Sequence, residues 1–333
     1  MKIKAPVIVI GGGYFGTSIT YHLAKQGIKV VLVEKNELAS GSSGANFGCV
    51  QVQDAEPGIS LDLTLKSFAM WQSFKDDLGI DVEYRPRGHL LATANQREWE
   101  NLLSTQTLKK SQGLKYEVLS PQDIERVEPA ISSRNLAGAT LSREASINPF
   151  KLIYGMGAKA EEYGAKVYQH TKVKEIKVSQ HKVTEVVTDK GVFSGDLFVL
   201  ATGAWTSSIG AKIGLDIPVS YIKGEALVSE VLPPLLNNYY GSASFFAEAH
   251  DTEGANTALC LAQTKSGNLV IGETSRPKGK QIDLDTKDHN SLALCKGIYE
   301  QVAKFFPSLL NYNIIRSWQT FSPYTEMHRP VFN

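Results

Sequence analysis

Residues 5–16 read APVIVIGGGYFG, and residues 28–34 read IKVVLVE. The first stretch is a β-branched apolar run that ends in a glycine turn, and the second is a similar run that ends in an acid. The residues between them are typical of a helix that ends at Gly27. The pattern therefore predicts a strand, a glycine turn, a helix and a second parallel strand, which together form a βαβ unit.

The glycines of this turn have separate mechanical roles. Gly11 permits the tight turn, Gly13 lets a pyrophosphate approach the backbone, and Gly16 lets the helix pack closely against the strand. The helix N-terminus offers N–H groups and a partial positive charge to phosphates. Glu34, which follows Gly16 by 18 residues, can accept hydrogen bonds from a ribose diol. These features predict a bound dinucleotide and leave open whether it is NAD or FAD.

Composition and charge argue against several other classes of protein. The chain has 333 residues, enough for two domains, and 42% of them are hydrophobic. With 35 basic and 34 acidic residues the net charge is +1, which argues against a nucleic-acid surface or a polybasic membrane patch.

Targeting signals and cysteine usage indicate a cytoplasmic protein. No apolar run approaches the roughly 18 residues that a membrane span needs, and residues 1–4 leave no room for a signal peptide. The cysteines are few and widely spaced, which indicates reduced thiols rather than a disulfide framework or a zinc site. They are Cys49, Cys260 and Cys295.

Two further stretches contain many small residues. Residues 39–49 read ASGSSGANFGC and follow the carboxyl end of the second strand, where ligands bind in α/β proteins. We expect a loop whose N–H groups converge on an anionic or flat ligand. Residues 196–205 read DLFVLATGAW, which predicts a strand that is covered on both faces and rejoins the N-terminal sheet.

The rest of the chain predicts a second, interleaved unit. A strand pair is expected over residues 82–93, where His89 is interpreted as a structural or solvent-edge histidine. Ser120 and Asn148 are expected to begin helices, and residues 173–193 are expected to form a β-meander. Longer antiparallel strands are expected over 218–230 and 258–272, and no low-complexity linker separates the units.

Together these stretches resemble the FAD-dependent D-amino-acid oxidase superfamily, which includes glycine and sarcosine oxidases and the flavin subunits of proline, hydroxyproline and opine dehydrogenases. The motifs that carry the resemblance lie at residues 9–35, 39–44, 199–205 and 316–330. Residues 262–272, AQTKSGNLVIG, most resemble the proline and opine branch.

The resemblance implies an α/β fold with two interleaved domains. Residues 1–80, 150–215 and 316–333 would form a Rossmann-like FAD-binding domain with a parallel sheet and a β-meander. Residues 81–149 and 216–315 would form a substrate domain on a mostly antiparallel sheet.

The resemblance also assigns FAD contacts. Tyr14 and Phe15 would lie over the pyrophosphate, and Glu34 and Lys35 would flank the adenosine ribose. The other contacts would be Val173 at the adenine, Ser42, Ser43, Phe47, Gly48 and Cys49 along the ribityl chain and isoalloxazine, and Thr202, Gly203 and Trp205 at the flavin wall.

The implied reaction is oxidation of a small amino or imino acid. Hydride would pass from the carbon that bears the nitrogen to flavin N5, and the imine would then hydrolyse. The flavin would supply the chemistry, and the protein would hold the substrate in register with it. The implied partners are this substrate and a partner subunit or another electron acceptor, with no nucleic acid and no metal.

A planar arginine fork is the best group for gripping a substrate carboxylate. The arginine that members of the family carry before Pro323 is Ser322 here, and their acid after the threonine appears as Met327. Catalytic residues therefore stay unassigned. The anchors that we consider are Arg316, Arg329, Tyr221 and Tyr240, and beside them Arg85, Arg87 and Tyr239.

Two other hypotheses stay open. Members of the family continue past residues 329–331 with a glycine-rich turn and a helix that stabilises the reduced flavin, and this chain ends at Asn333. A catalytically impaired flavin-binding or scaffold subunit is therefore the second hypothesis. An NAD-dependent dehydrogenase is the third, and the stretches 39–49 and 196–205 speak against it because they suit an extended FAD.

Overall fold

The computed structural model describes residues 2–244, 256–276, 284 and 292–325. It begins with β1 (Lys2–Lys4), β2 (Val7–Ile10), α1 (Tyr14–Lys25) and β3 (Val30–Val33). β2 and β3 are fully buried apolar strands that pair in parallel, and α1 connects them. The predicted βαβ unit is therefore confirmed.

The later elements follow the first unit in chain order. They are β4 (Cys49–Val50), α2 (Ile59–Asp77), β5 (Arg85–Thr93), α3 (Gln96–Ser111), β6 (Tyr116–Leu119), α4 (Pro121–Val127), β7 (Gly138–Ser146), α5 (Pro149–Glu162), β8 (Lys166–Tyr168), β9 (Val173–Ser179), β10 (Lys182–Thr188), β11 (Val192–Ser194), β12 (Leu197–Leu200), α6 (Thr206–Ala211), β13 (Ser220–Val231), β14 (Tyr239–Ser242), β15 (Asn256–Gln263), β16 (Asn268–Arg276), α7 (Leu292–Phe305) and β17 (Ile314–Tyr324).

Side-chain caps fix where two of the predicted helices begin. The Ser120 hydroxyl accepts a hydrogen bond from the backbone N–H of Asp123 at the start of α4. The Asn148 side chain accepts from the N–H groups of Phe150 and Lys151 at the start of α5. Each cap satisfies N–H groups that have no partner within the helix.

The parallel sheet has the strand order β12-β2-β3-β8. β12 pairs with β2 from Leu197↔Val7 to Leu200↔Ile10, so the predicted return of the chain to the N-terminal sheet is confirmed. The expectation that this strand is covered on both faces is wrong, since Leu197 is 56% exposed. The reason is that β12 lies along a large cavity, which all four of its residues line.

The β-meander forms a separate sheet. β9, β10 and β11 pair antiparallel as expected, and β1 adds in parallel to β11. Buried residues such as Ile8, Val31 and Phe193 pack between this sheet and one face of the parallel sheet, while α1 and α5 cover the other face. The FAD-binding half that the sequence predicts is thus a three-layer structure.

The largest sheet in the described residues has the order β17-β13-β16-β15-β14-β5-β7-β4, with β6 beside β7. It is antiparallel except between β14 and β5, which confirms the predicted antiparallel sheet. The strand pair expected over residues 82–93 is wrong, because β5 is one continuous strand that pairs with β7 along its whole length.

β17 is an edge strand of the antiparallel sheet. It pairs with β13 from Ser220↔Tyr324 to Ser229↔Ile314. The resemblance places residues 316–333 with the FAD-binding residues. Strand pairing alone does not assign a strand to one of two interleaved domains, so the division into domains stays a prediction.

The two faces of the antiparallel sheet have different neighbours. One face packs its apolar side chains, including Leu90, Tyr240 and Ile271, against α7 and Phe306. On the opposite face, Gly272 leaves room for Phe47, because a Cβ at Gly272 would lie 3.1 Å from Phe47 Cζ. The loop that follows β3 therefore reaches across to this sheet.

Within the part of the chain that the structure describes, no helix has the length and apolar character to cross a membrane.

Candidate functional site

The glycine turn brings β2, β12 and α1 into close contact. Gly11 has φ +111°, and a Cβ there would lie 2.3 Å from the carbonyl oxygen of Ala201. A Cβ at Gly16 would lie 1.7 Å from the carbonyl oxygen of Gly11. No side chain fits at either position, so these glycines set the approach of the helix N-terminus to the carboxyl ends of the strands.

Glu34 lies at the carboxyl end of β3 with its carboxylate already oriented. One oxygen accepts a hydrogen bond from the N–H of Gly12 at 2.6 Å, and the other accepts from the N–H of Asn36 at 2.8 Å. A carboxylate oxygen has a second lone pair available after each of these bonds. The side chain can therefore accept from a ribose diol without first giving up its own hydrogen bonds.

The small-residue loop after β3 is an ordered structure. Residues Ser42–Gly44 form one 3-10 turn, and the Ser43 hydroxyl accepts a hydrogen bond from the N–H of Tyr14 at 3.0 Å. The Asn46 amide donates to Ser43 O at 2.7 Å and accepts from the N–H of Gly48 at 2.8 Å. Burial raises the pKa of Tyr14 to about 12, so its hydroxyl stays protonated beside Asn46.

Lys35 places a positive charge over the aromatic face of Trp205. A 3-10 turn at Gly203–Trp205 follows β12, and Lys35 Nζ lies 3.8 Å from the centroid of the Trp205 ring. This cation–π contact holds the ammonium group over the indole. Lys35 and Trp205 line the same cavity as the glycine turn, so the arrangement holds a cation where it can act on an anionic ligand.

One cavity joins these features. Its volume is about 1970 Å³, which exceeds the roughly 300–1,000 Å³ of ordinary small-molecule pockets. Fourteen of the predicted cofactor residues line it: Gly11, Gly13, Tyr14, Phe15, Glu34, Lys35, Ser42, Ser43, Phe47, Cys49, Val173, Thr202, Gly203 and Trp205. Gly16 and Gly48 lie behind its wall, where Gly16 packs on Gly11 and a Cβ at Gly48 would lie 2.3 Å from Ile147 O.

The residues present fit an FAD. The glycine turn, Glu34 and Lys35 would hold the adenylate and pyrophosphate half. The same cavity continues past Phe47 and Cys49 to Gly224 and Ser322 of the antiparallel sheet. This course suits an extended dinucleotide that reaches from one sheet to the other and leaves room for a small substrate.

The predicted substrate anchors do not gather in this cavity. Tyr240 is buried in the core on the other face of the sheet, with its ring 5.1 Å from that of Phe306, and this position argues against an anchoring role. Tyr221 packs edge-on against Phe321, and Arg316 lies 6.0 Å from the Trp318 ring on an exposed stretch. Arg329 lies outside the described residues.

Two other arginines, neither of which lines the cavity, lie on the face of β5 that carries His89 and is opposite to Leu90 and the α7 side. Arg85 Nη2 donates to Gln263 O at 2.7 Å. Arg87 Nη1 is buried and has no hydrogen-bond partner. Burial and the neighbouring Arg85 lower the pKa of Arg87. An arginine in this setting is suited to an anion, so Arg87 stays a candidate anchor.

A buried polar cluster beside the cavity is not predicted from the sequence. It consists of Asp54, His89, Glu144 and Tyr239, and His89 is 1% exposed. Of the two interpretations of His89, structural and solvent-edge, the structural one is therefore right. A usable signal was the alternation of polar residues at 85, 87 and 89 within a strand, since side chains two apart share a face.

The fold and site define a class of proteins in which an extended dinucleotide lies between a βαβ unit and an antiparallel sheet. The chain belongs to the FAD dependent oxidoreductase family (DAO), which it matches over residues 6–333. FAD is thus the cofactor that this cavity serves.

Relatives cover nearly the whole chain. Glycine oxidase from Geobacillus kaustophilus is 27% identical over 98% of this chain and 83% of its own length. Its crystal structure superposes with a TM-score of 0.85, at 25% identity over 98% of this chain and 85% of the other. An opine oxidase subunit from Rhizobium meliloti is 25% identical over 99% of this chain and 85% of its own length.

Proposed function

We propose that this FAD-dependent oxidoreductase oxidises a small amino or imino acid at the carbon that bears the nitrogen. The observation that carries the proposal is the single cavity that runs from Glu34 and the glycine turn to Gly224 and Ser322 on the antiparallel sheet. Similarity to a glycine oxidase and to a subunit of an opine oxidase supports an amino acid or a secondary amine as substrate.

The residues of the chain would divide the work along the cavity. Glu34, Lys35 and the N–H groups at the start of α1 would bind the adenylate half of FAD, and Phe47 and Cys49 would lie beside its ring system. The bound flavin would accept the hydride from the substrate. Ile222 and Gly224 offer an apolar wall at that end, which excludes water and orients the substrate.

The interleaved division into domains is part of the same proposal. Residues 1–80, 150–215 and 316–333 would hold FAD, while 81–149 and 216–315 would face the substrate. The pairing of Cys49 with Ser146 of β7 supports a close junction, because the loop that lines the cavity also joins the antiparallel sheet.

Neither alternative hypothesis is favoured. Membership of a flavin-dependent oxidoreductase family over residues 6–333 speaks for an enzyme and for FAD, and against a scaffold or an NAD-dependent dehydrogenase. Similarity to one subunit of an opine oxidase supports a partner subunit or another electron acceptor.

An anaerobic screen tests the proposal. Protein loaded with FAD is mixed without oxygen with glycine, N-methylglycine, proline and an N-carboxyalkyl amino acid, and the oxidised-flavin absorbance is followed. We expect one of these amines to bleach the flavin, whereas the matching hydroxy acids leave it oxidised. Retention of FAD with no reduction by any amine would instead support the scaffold hypothesis.

A further inference from the structure

Phe47 lies where the loop after β3 meets the antiparallel sheet. The residue is half-buried and lines the cavity, and its Cζ atom is 3.1 Å from the position of a Cβ at Gly272 of β16. Carbon atoms in ordinary contact are about 3.5–4.0 Å apart, so a glycine at position 272 leaves room for the ring where it stands. The tip of the ring therefore lies against the backbone of the sheet.

The backbone around Phe47 is fixed by the fold. The Asn46 side chain accepts a hydrogen bond from the N–H of Gly48 at 2.8 Å, which closes a turn around Phe47. The carbonyl oxygen of Gly48 accepts from the N–H of Ile147 at 2.8 Å. Gly48 has φ +69°, and a Cβ there would lie 2.3 Å from Ile147 O. The loop thus sets the direction of the Phe47 side chain.

The sheet surface beneath the ring is built from small residues. Ile271 and Leu227 pack into the core on the α7 side, so Gly272 and Ala226, which follow and precede them, face the other way. A Cβ at Gly272 would lie 3.3 Å from the Cβ of Ala226, which confirms their common face. Cys260 of β15 pairs with Gly272. These three residues leave a low surface on which an aromatic ring can rest.

The cavity stops short of the strand that Phe47 covers. Gly224 of β13 and Ser322 of β17 line the cavity. Gly272 lies on the adjacent strand and Cys260 on the next one, and neither lines it. Gly272 is buried. Phe47 therefore forms the wall between the open part of the sheet, at β13 and β17, and the covered part at β16 and β15.

We propose that Phe47 is a specificity-determining residue that limits the size of the group which a substrate can place beside the sheet. The proposal rests on the proposed function, because it concerns the amine that is oxidised. With the ring in place, the substrate meets β13 and β17, and small groups on its nitrogen and α-carbon fit there. Without the ring, the space would extend over Gly272 and its small neighbours, and a bulky group would have room.

Removal of the ring tests the size limit. Two pairs of amines differ by a phenyl ring: N-methylglycine and N-benzylglycine, and racemic alanine and phenylalanine. The rate of anaerobic flavin reduction at low amine concentration is measured in FAD-loaded wild type and Phe47→Ala. A missing methylene changes the selectivity of an apolar pocket by about 10–200-fold, so the larger change in Phe47→Ala should favour a phenyl-bearing amine by about tenfold or more over its small partner.

Phe150→Ala is the matched control. Phe150 packs against the same loop, since a Cβ at Gly44 would lie 2.8 Å from its Cε1 atom, but it is 43% exposed and does not line the cavity. The control removes the same ring from the other side of the loop, and it should leave the selectivity unchanged. Because the selectivity is a ratio within one FAD-loaded variant, a change in FAD affinity does not enter it.

A second variant reaches Phe47 from the sheet. Gly272→Ala adds a methyl group 3.1 Å from Phe47 Cζ and should push the ring into the cavity. We expect reduction by the small amine to become about tenfold slower at low concentration. In the Phe47→Ala background the same change should have little effect, because no ring remains to be displaced. The double variant measures this dependence of one substitution on the other.

The outcomes separate this proposal from the proposed function. If no amine reduces the wild-type flavin, the proposed function is wrong. Methoxyacetate and benzyloxyacetate, which have no nitrogen to oxidise, then test the size limit through their binding, followed by flavin absorbance in wild type and Phe47→Ala. Unchanged selectivity in Phe47→Ala, an equal change in Phe150→Ala, or the same effect of Gly272→Ala with and without the ring overturns the assignment of Phe47.

Discussion

Glu34 shows how a single residue prepares the cavity for a ligand. Its two carboxylate oxygens are held by backbone N–H groups 2.6 and 2.8 Å away. Glu34→Gln replaces one of these acceptors with a donor, which sets an amide N–H against a backbone N–H or the ribose. Hydrogen bonds to a charged group contribute about 1.5–3 kcal/mol, so we expect FAD to bind roughly 10- to 150-fold more weakly.

Titration of apoprotein with FAD, followed by tryptophan fluorescence, measures this loss. Glu37→Gln is the matched control, because Glu37 is exposed three residues further on. Equal affinity of FAD for wild type and Glu34→Gln would show that this carboxylate does not contact the adenylate half.

At the scale of the residue, the sequence predicts the site residues that belong to short local motifs. Glu34 and Ser43 belong to local patterns, and both lie in the cavity. Asp54, His89 and Glu144 are far apart in sequence: the pairing of β5 with β7 brings His89 and Glu144 together, and Asp54 comes from the loop after β4. Tyr239 and Tyr240 are adjacent, yet the alternation of a strand sends one to the buried cluster and the other to the core.

The approach of α1 to the glycine turn is the critical contact at the scale of elements. A Cβ at Gly16 would overlap Gly11 O, so Gly16→Ala must push the helix away from the turn. We expect the free energy of unfolding to fall by about 3 kcal/mol, the upper range for overpacking, and FAD binding to be lost. Gly41→Ala is the control, since its Cβ would meet nothing closer than 3.8 Å, and it should change stability by less than about 0.5 kcal/mol.

Denaturant unfolding of both apoproteins measures the two changes. A Gly16→Ala variant as stable as Gly41→Ala would mean that the helix can move without cost, and the tight contact between helix and turn would then not be essential.

Helix starts that are fixed by a local cap could be predicted from the sequence. The sheet to which a strand belongs could not, because it is fixed by pairing with strands that are distant in sequence. Ser120 and Asn148 cap their helices as the sequence indicates. The sheet to which β17 belongs depends on β13, almost a hundred residues earlier, and no local pattern encodes that choice. The exposure of β12 likewise depends on the cavity that it lines, whose other walls come from segments distant in sequence.

At the scale of the whole molecule, the cavity is lined by both units. Residues from the parallel sheet and its loops form one side, while Ile222, Gly224 and Ser322 come from the antiparallel sheet. The sequence could predict the adenylate half of the site because a single βαβ unit forms it. The other half could not be predicted in the same detail, since its walls come from strands with large separations in sequence.

A ligand that contacts both units should stabilise both at once. FAD at 100 times its dissociation constant adds about 2.7 kcal/mol to the free energy of unfolding, which raises the midpoint of thermal unfolding by roughly 4 °C. We expect hydrogen exchange to slow at the start of α1 and also at β13 and β17. NAD at the same concentration should give neither effect, because the family match indicates a flavin. Protection confined to α1, or equal stabilisation by NAD, would contradict a dinucleotide that extends between the two sheets.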